Sequence, residues 1–198
     1  MPVNCLTTES RYLTPERTGP PVAAWFPGAV FYAKAFGIVY RAAGWSKQGR
    51  YDHRRWIESS VATVRALESV GGRFEFQGLD VVRNLSSPCV FIGNHMSILE
   101  TFVLPCLIVP HRNVTFVIKE SLITYPLFGH VMRSLNPVVV GRENPREDLR
   151  VVWGKMTMEM SSSSRFCPSS STHRKSSLGF SRPTTTGLRL RITWPNSG

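Results

Sequence analysis

The sequence predicts an α/β fold with a largely parallel sheet flanked by helices, an interfacial helix near its start and an irregular tail at its end. Two observations predict the core of it. Short apolar runs alternate with longer stretches of helical period between residues 52 and 160. Several of the short runs, 89–93 and Val138–Val140 among them, are almost wholly apolar, as strands covered on both faces must be. A third observation sets the boundaries. Residues 161–198 carry 11 Ser and 5 Thr, and their apolar residues are too sparse for either period. The expected organisation is therefore a leader and membrane-interface helix over 1–50, a partial α/β domain over 51–160, and an irregular basic tail over 161–198.

Each element follows from local pattern. Residues 1–20 are polar and rich in Pro, Thr and Arg, and read as a loose leader. Residues 21–45 are apolar and aromatic, but the longest stretch without a charge, Thr18 to Ala33, is 16 residues and holds Pro20, Pro21 and Pro27. A spanning helix needs about 20 apolar residues. Trp25, Phe26, Phe31, Tyr32, Phe36, Tyr40 and Trp45, with Lys34 and Arg41, instead fit a segment that is helical after Pro27 and lies in a membrane interface. The competing reading is an amphipathic helix packed on its own domain.

Residues 52–70 form the clearest helix, with Trp56, Ile57, Val61, Val64, Leu67 and Val70 on one side and Gly71-Gly72 as its stop. Arg73–Gln77 alternates as a strand. Residues 89–93 read as a short buried strand, 98–109 as an apolar helix crossed by Pro105, and 114–118 as a strand. Residues 122–135 read as helical or irregular around Pro126. Val138–Val140 is a further buried strand, and a helix begins over 144–160 with Pro145 in its first turn.

The formal charge is +11, and it is unevenly placed: residues 1–160 carry a net of +5, while 161–198 carry six Arg/Lys and no acid. Such a surface suits anionic headgroups, phosphorylated substrates or nucleic acid. Cys5, Cys89, Cys106 and Cys167 are widely spaced, which points to reduced thiols rather than a zinc site or a disulfide framework. Met1-Pro2-Val3-Asn4 does not open a secretory signal. The tail itself has two readings, a basic disordered extension or an out-of-frame translation. Read from the third base of the Arg165 codon, Arg165-Phe166-Cys167-Pro168-Ser169 permits Val-Leu-Pro-Gln or Val-Leu-Pro-Glu, a strand followed by an amide or an acid.

Chemistry concentrates in Asn94-His95-Met96-Ser97-Ile98-Leu99-Glu100, between an expected strand and an expected helix. Strand-end loops of parallel sheets are where such folds place their sites. An imidazole at the turn and a carboxylate on the first helical turn have the parts for acyl transfer: one ring nitrogen takes a hydroxyl proton, and the carboxylate holds the other N–H. The structural alternative is a capping box, Ser97-x-x-Glu100, with His95 a turn residue.

The motif resembles the first motif of the glycerolipid acyltransferases of the 1-acylglycerol-3-phosphate type, Asn-His, four residues, then Asp. The surroundings are similar too. Phe76-Gln77-Gly78-Leu79 and Pro88-Cys89-Val90-Phe91-Ile92 resemble the family's lead-in strands. Val117-Ile118-Lys119-Glu120-Ser121-Leu122 and Pro126-Leu127-Phe128-Gly129 resemble the segment between its first two motifs. Asn136-Pro137-Val138-Val139-Val140-Gly141-Arg142 resembles the second motif, an apolar strand ending in Arg. The likeness spans about residues 70–150.

That resemblance implies roles by position. His95 is the expected general base and Glu100 its orienting acid in place of the usual Asp. Arg142 is expected on the acceptor phosphate, which suits a guanidinium fork, with Lys119 as a supporting point charge. Ordinary strand-end solvation is the alternative for both. Glutamate departs from the pattern by one methylene, and a shift near 1 Å can cost on the order of 100-fold in rate, though lipid A acyltransferases have a similar His, four residues, Glu. The third motif, roughly Phe-Pro-Glu-Gly-Thr-Arg, has in its place Phe166-Cys167-Pro168-Ser169-Ser170-Ser171, and the fourth has no counterpart.

The expected activity is therefore transfer of a fatty acyl group from acyl-CoA or acyl carrier protein to a hydroxyl of lysophosphatidate or a related lysolipid. The thioester supplies the activated acyl group, so no metal or redox cofactor is expected. The expected partners are the acyl thioester donor, the lysophospholipid acceptor and a membrane surface on the cytoplasmic face, with no nucleic acid. Loss of the later motifs leaves both an active and an inactive chain open as readings, and implies incomplete cover of sheet edges and helix faces beyond about residue 155. The alternative is a non-catalytic binding protein at anionic membrane surfaces. Nucleic-acid binding by the tail is a third reading and the poorest, since only Phe166, Phe180 and Trp194 lie among its charges.

Overall fold

In the computed structural model, residues 10–15, 25–85, 89–92, 97–163 and 188–193 are described. In chain order the elements are β1 (Arg11–Leu13), α1 (Pro27–Lys47), α2 (His53–Glu68), β2 (Arg73–Gln77), α3 (Leu79–Asn84) and α4 (Leu99–Ile108). There follow β3 (Val117–Lys119), α5 (Ser121–Thr124), α6 (Phe128–Ser134), β4 (Val138–Val140), α7 (Pro145–Ser163) and β5 (Arg189–Thr193).

Helix α2 is the centre of the core. Asp52 caps it, its carboxylate accepting from the Arg55 backbone N–H at 2.9 Å. The apolar stripe expected from the sequence buries Trp56, Ile57, Val64 and Leu67, each contributing about 1.5–3 kcal/mol against exposure. The helix ends where Gly71-Gly72 was expected to stop it. A Cβ on Gly72 would lie 2.6 Å from Leu67 Cγ, so the chain turns tightly over that leucine.

Helix α1 begins at Pro27, as expected, and packs on α2 and α6. Phe31 and Trp45 turn inward, and the Arg55 guanidinium sits 4.3 Å over the Trp45 ring. Trp25, Phe26, Tyr32, Phe36 and Tyr40 stay exposed, from 63% to 80%. One side of the helix thus packs on its own domain while Tyr32, Phe36 and Tyr40, four residues apart, face solvent. Among the described residues no helix is long and apolar enough to cross a membrane.

The mixed α/β class is as expected, but a largely parallel sheet is not found among the described residues, which form two small sheets. β3 and β4 pair in parallel, with Lys119 opposite Val140. A separate three-stranded sheet, β1–β2–β5, is antiparallel throughout. The reason lies in β2. Phe74 and Phe76 are buried while Arg73 and Gln77 face water, and an antiparallel sheet accommodates one wet face where a parallel sheet is covered on both. Two of its strands lie where no regular element was expected: β1 in the leader and β5 in the tail. Leu190 and Ile192 of β5 pack on the core while Arg189 and Arg191 point outward.

Residues 89–92 are the clearest correction. They form no strand, and Val90, Phe91 and Ile92 are all exposed, Ile92 at 93%. A short apolar run becomes a buried strand only where a neighbour offers its edge and another layer covers its faces, and neither sheet here extends to it. The segment around Pro126 resolves into α5 and α6, split by Leu127 at φ 64°. Gly129 lets the two approach: a Cβ there would collide with the Ile123 carbonyl oxygen.

Buried polar groups are met locally. Glu68 accepts from the Tyr12 hydroxyl at 2.5 Å, Thr14 Oγ1 at 3.0 Å and Arg65 Nη1 at 2.8 Å, fixing β1 to α2. Burial, then that carboxylate, hold the Tyr12 phenol well above its usual titration range.

Candidate active site

Glu100 lies in the first turn of α4, where a carboxylate complements the helix N-terminus. Its Oε1 accepts from the Ser97 backbone N–H at 3.1 Å. This is one half of the capping box anticipated from the sequence. The N-cap position itself is Ile98, which supplies no capping side chain. Asn94 and His95 lie outside the described residues. The carboxylate nonetheless reaches back over the helix start to Ser97, two residues past His95 in the chain.

The position of α4 depends on α2. Pro105 stands inside α4 and removes one backbone donor from its ladder. Ser60 of α2 fits against this turn: its Oγ donates to the Val103 carbonyl at 3.0 Å and accepts from the Cys106 N–H at 3.0 Å. Phe102, two residues after Glu100, meets the Phe128 ring of α6 at 5.7 Å. Glu100 is therefore set on a short helix braced from two sides.

Lys119 ends β3 and is exposed. Arg142 follows β4 by two residues and is also exposed. Since β3 and β4 are parallel with Lys119 opposite Val140, both cations stand at the carboxyl end of the same strand pair. Arg142 has φ 67°, a left-handed conformation costly for a residue of this kind. What holds it is Asp148 in the first turn of α7. Its carboxylate accepts from the Gly141 N–H at 3.0 Å and from the Arg142 N–H at 2.9 Å. Glu100, by contrast, stands on α4, whose packing is chiefly against α2.

Sequence reasoning missed Ser60 and Asp148. Asp148 had a local signal, an acid in the first turn after Pro145. Ser60 had none, because its partners lie more than 40 positions away. Arg146 and Arg150, also missed, stand with Asn144, Glu147 and Val151 on a shallow, open surface at the start of α7, just beyond Arg142 in the chain. A separate space, about 30 Å³ among Ile38, Val39, Phe102, Phe128 and Met132, has room for about one water and no acyl chain.

The acyltransferase family model matches residues 73–169. The chain is similar to the 1-acyl-sn-glycerol-3-phosphate acyltransferase of Pseudomonas aeruginosa, 28% identical over 101 residues, which covers 51% of this chain and 37% of that one. It is also similar to the chloroplastic 1-acyl-sn-glycerol-3-phosphate acyltransferase BAT2 of Brassica napus, 27% identical over 99 residues, covering 49% of this chain and 28% of that one. The match thus spans well under half the length of these relatives. No solved structure matches.

Proposed function

Since this chain belongs to the acyltransferase family, we propose that its site transfers a fatty acyl group from an acyl-CoA or acyl carrier protein thioester to a hydroxyl of lysophosphatidate or a related lysolipid. The observation that carries the proposal is the family match over the segment that holds the Asn94-His95…Glu100 motif, Lys119 and Arg142.

In this reading a nitrogen of His95 accepts the proton of the lipid hydroxyl as its oxygen attacks the thioester carbonyl carbon. The C–O bond forms, the C–S bond breaks, and the leaving sulfur takes the proton back from the imidazolium. Glu100 orients the ring and steadies its charge. Arg142, with Lys119 at the same sheet end, binds the acceptor phosphate, and the fixed backbone at Gly141-Arg142 sets the direction of the guanidinium. The exposed aromatic side of α1 rests in a membrane interface on the cytoplasmic face and keeps the site near its insoluble substrates. The test is thiol release from acyl-CoA by the purified chain with lysophosphatidate present. Release that needs this acceptor supports the reading, and release indifferent to it contradicts acyl transfer.

A second reading is favoured by one observation, the exposure of Tyr32, Phe36 and Tyr40: a non-catalytic protein bound at anionic membrane surfaces. It fits the place of the third motif being held by Phe166-Cys167-Pro168-Ser169-Ser170-Ser171, and predicts vesicle binding without thiol release.

A further inference from the structure

The solvent face of the antiparallel sheet has a composition that the acyl-transfer chemistry does not use. Register places Arg11, Gln77 and Arg189 in one cross-strand row, and Leu13, Glu75 and Arg191 in the next. Arg73 opens β2 on the same face. Four arginines therefore stand around a single carboxylate on a surface of about 13 Å by 10 Å. Glu75 is itself engaged. It accepts from Gln77 and forms an ion pair with Arg11 at 2.6 Å, and these contacts hold its carboxyl below the usual range. The net charge of the face remains strongly positive.

We propose that this β1–β2–β5 face is a docking surface for anionic lipid headgroups. The charge is complementary, and a flat sheet matches a flat layer of phosphates. Nucleic acid fits less well, because the aromatic side chains of the described strands, Tyr12, Phe74 and Phe76, are all buried in the core rather than offered to bases. Leu13 lies among the arginines and is 54% exposed, an apolar contact that suits a lipid boundary. α1 is also tied to the C-terminal end of α2, from which the chain leads into β2. Lys34 of α1 donates to Ser69 Oγ at 2.5 Å, and β2 begins four residues later. Stable attachment at a membrane generally takes two signals, an apolar insertion and a basic patch. α1 supplies the first, and this face supplies the second. The inference rests on the membrane reading above only for the choice of lipid over other polyanions.

The experiment is co-sedimentation of the full chain with vesicles of phosphatidylcholine alone or with phosphatidylserine added. At about a kilocalorie per basic residue, Arg189→Gln with Arg191→Gln is expected to weaken binding to the anionic vesicles about 30-fold and to leave neutral vesicles unaffected. Arg50→Gln with Arg54→Gln removes the same charge elsewhere and is expected to cost less than threefold. Glu75→Gln adds positive charge to the face and is expected to tighten anionic binding about fivefold, a gain that misfolding cannot imitate. Equal losses in the two double variants, or no gain from Glu75→Gln, would overturn the proposal. So would loss of single-stranded RNA binding with vesicle binding intact. The assay reads binding, so vesicle binding without thiol release would count against acyl transfer alone.

Discussion

Ser60→Ala tests how α4, and with it Glu100, is held in place. The hydroxyl makes two bonds of 3.0 Å, one to the Val103 carbonyl and one from the Cys106 N–H, at a side chain 2% exposed. Each bond is worth about 0.5–1.5 kcal/mol net, so their loss costs about 1–3 kcal/mol. For a chain of this size a change of 2 kcal/mol lowers the unfolding midpoint by about 4–8 °C. The second consequence is local. The braced turn is one turn beyond Glu100, and a 1 Å drift of a catalytic group costs on the order of 100-fold in rate. Thermal unfolding by near-UV circular dichroism reads the first effect, and thiol release reads the second. Thr124→Ala is the comparison, since its hydroxyl donates to the Ser121 carbonyl at an exposed position where water replaces the bond. A Ser60→Ala midpoint no lower than that of Thr124→Ala would refute the reasoning.

Other consequences follow from the same geometry. Tyr12→Phe removes the bond to the buried Glu68 carboxylate and is expected to cost about 1.5–3 kcal/mol in urea unfolding, the range for a bond to a charged group. Burial pushes the Tyr51 phenol up to about 12, against a bond with Ser59 that pulls the other way. Its folded value lies above the unfolded one near 10, so its share of stability is whole below pH 10 and is lost as pH rises from 10 to 12. The buried Tyr12 phenol acts in the same direction. The unfolding midpoint should therefore fall over that range, and Tyr51→Phe should shallow the fall. Arg142→Asn keeps a residue tolerant of the left-handed backbone and removes the guanidinium. It is expected to raise the KM for lysophosphatidate about 10-fold or more with little change in kcat, and to leave an acceptor without phosphate unaffected.

What the sequence reveals here is mostly local. The stripe on α2, its Gly71-Gly72 stop, the start of α1 at Pro27 and the break at Pro126 each depend on residues within a turn or two of one another. The sheets depend on distant partners. β5 pairs with β2 because Leu190 and Ile192 fit beside Phe74 and Phe76 on the core side, and no pattern inside a Ser-rich tail announces that. Residues 89–92 have the composition of a buried strand without the neighbours that would bury one. Within the candidate site, motif resemblance nominates Glu100, Lys119 and Arg142, and the structure brings the latter two to one end of β3 and β4. Of the groups that brace them, Ser60 acts across two helices with no local signal, while Asp148 is marked only by its place in the first turn after Pro145.

Acyl transfer by His95 is tested most directly by measuring thiol release from acyl-CoA, with lysophosphatidate as acceptor, for parent and His95→Ala proteins. The pair is assayed both in the chain as written and in the version continued from the third base of the Arg165 codon. The expected result is acceptor-dependent release that His95→Ala lowers by about 100- to 10,000-fold, the usual contribution of a general base. Release that survives His95→Ala unchanged, or no release from either version, would contradict it.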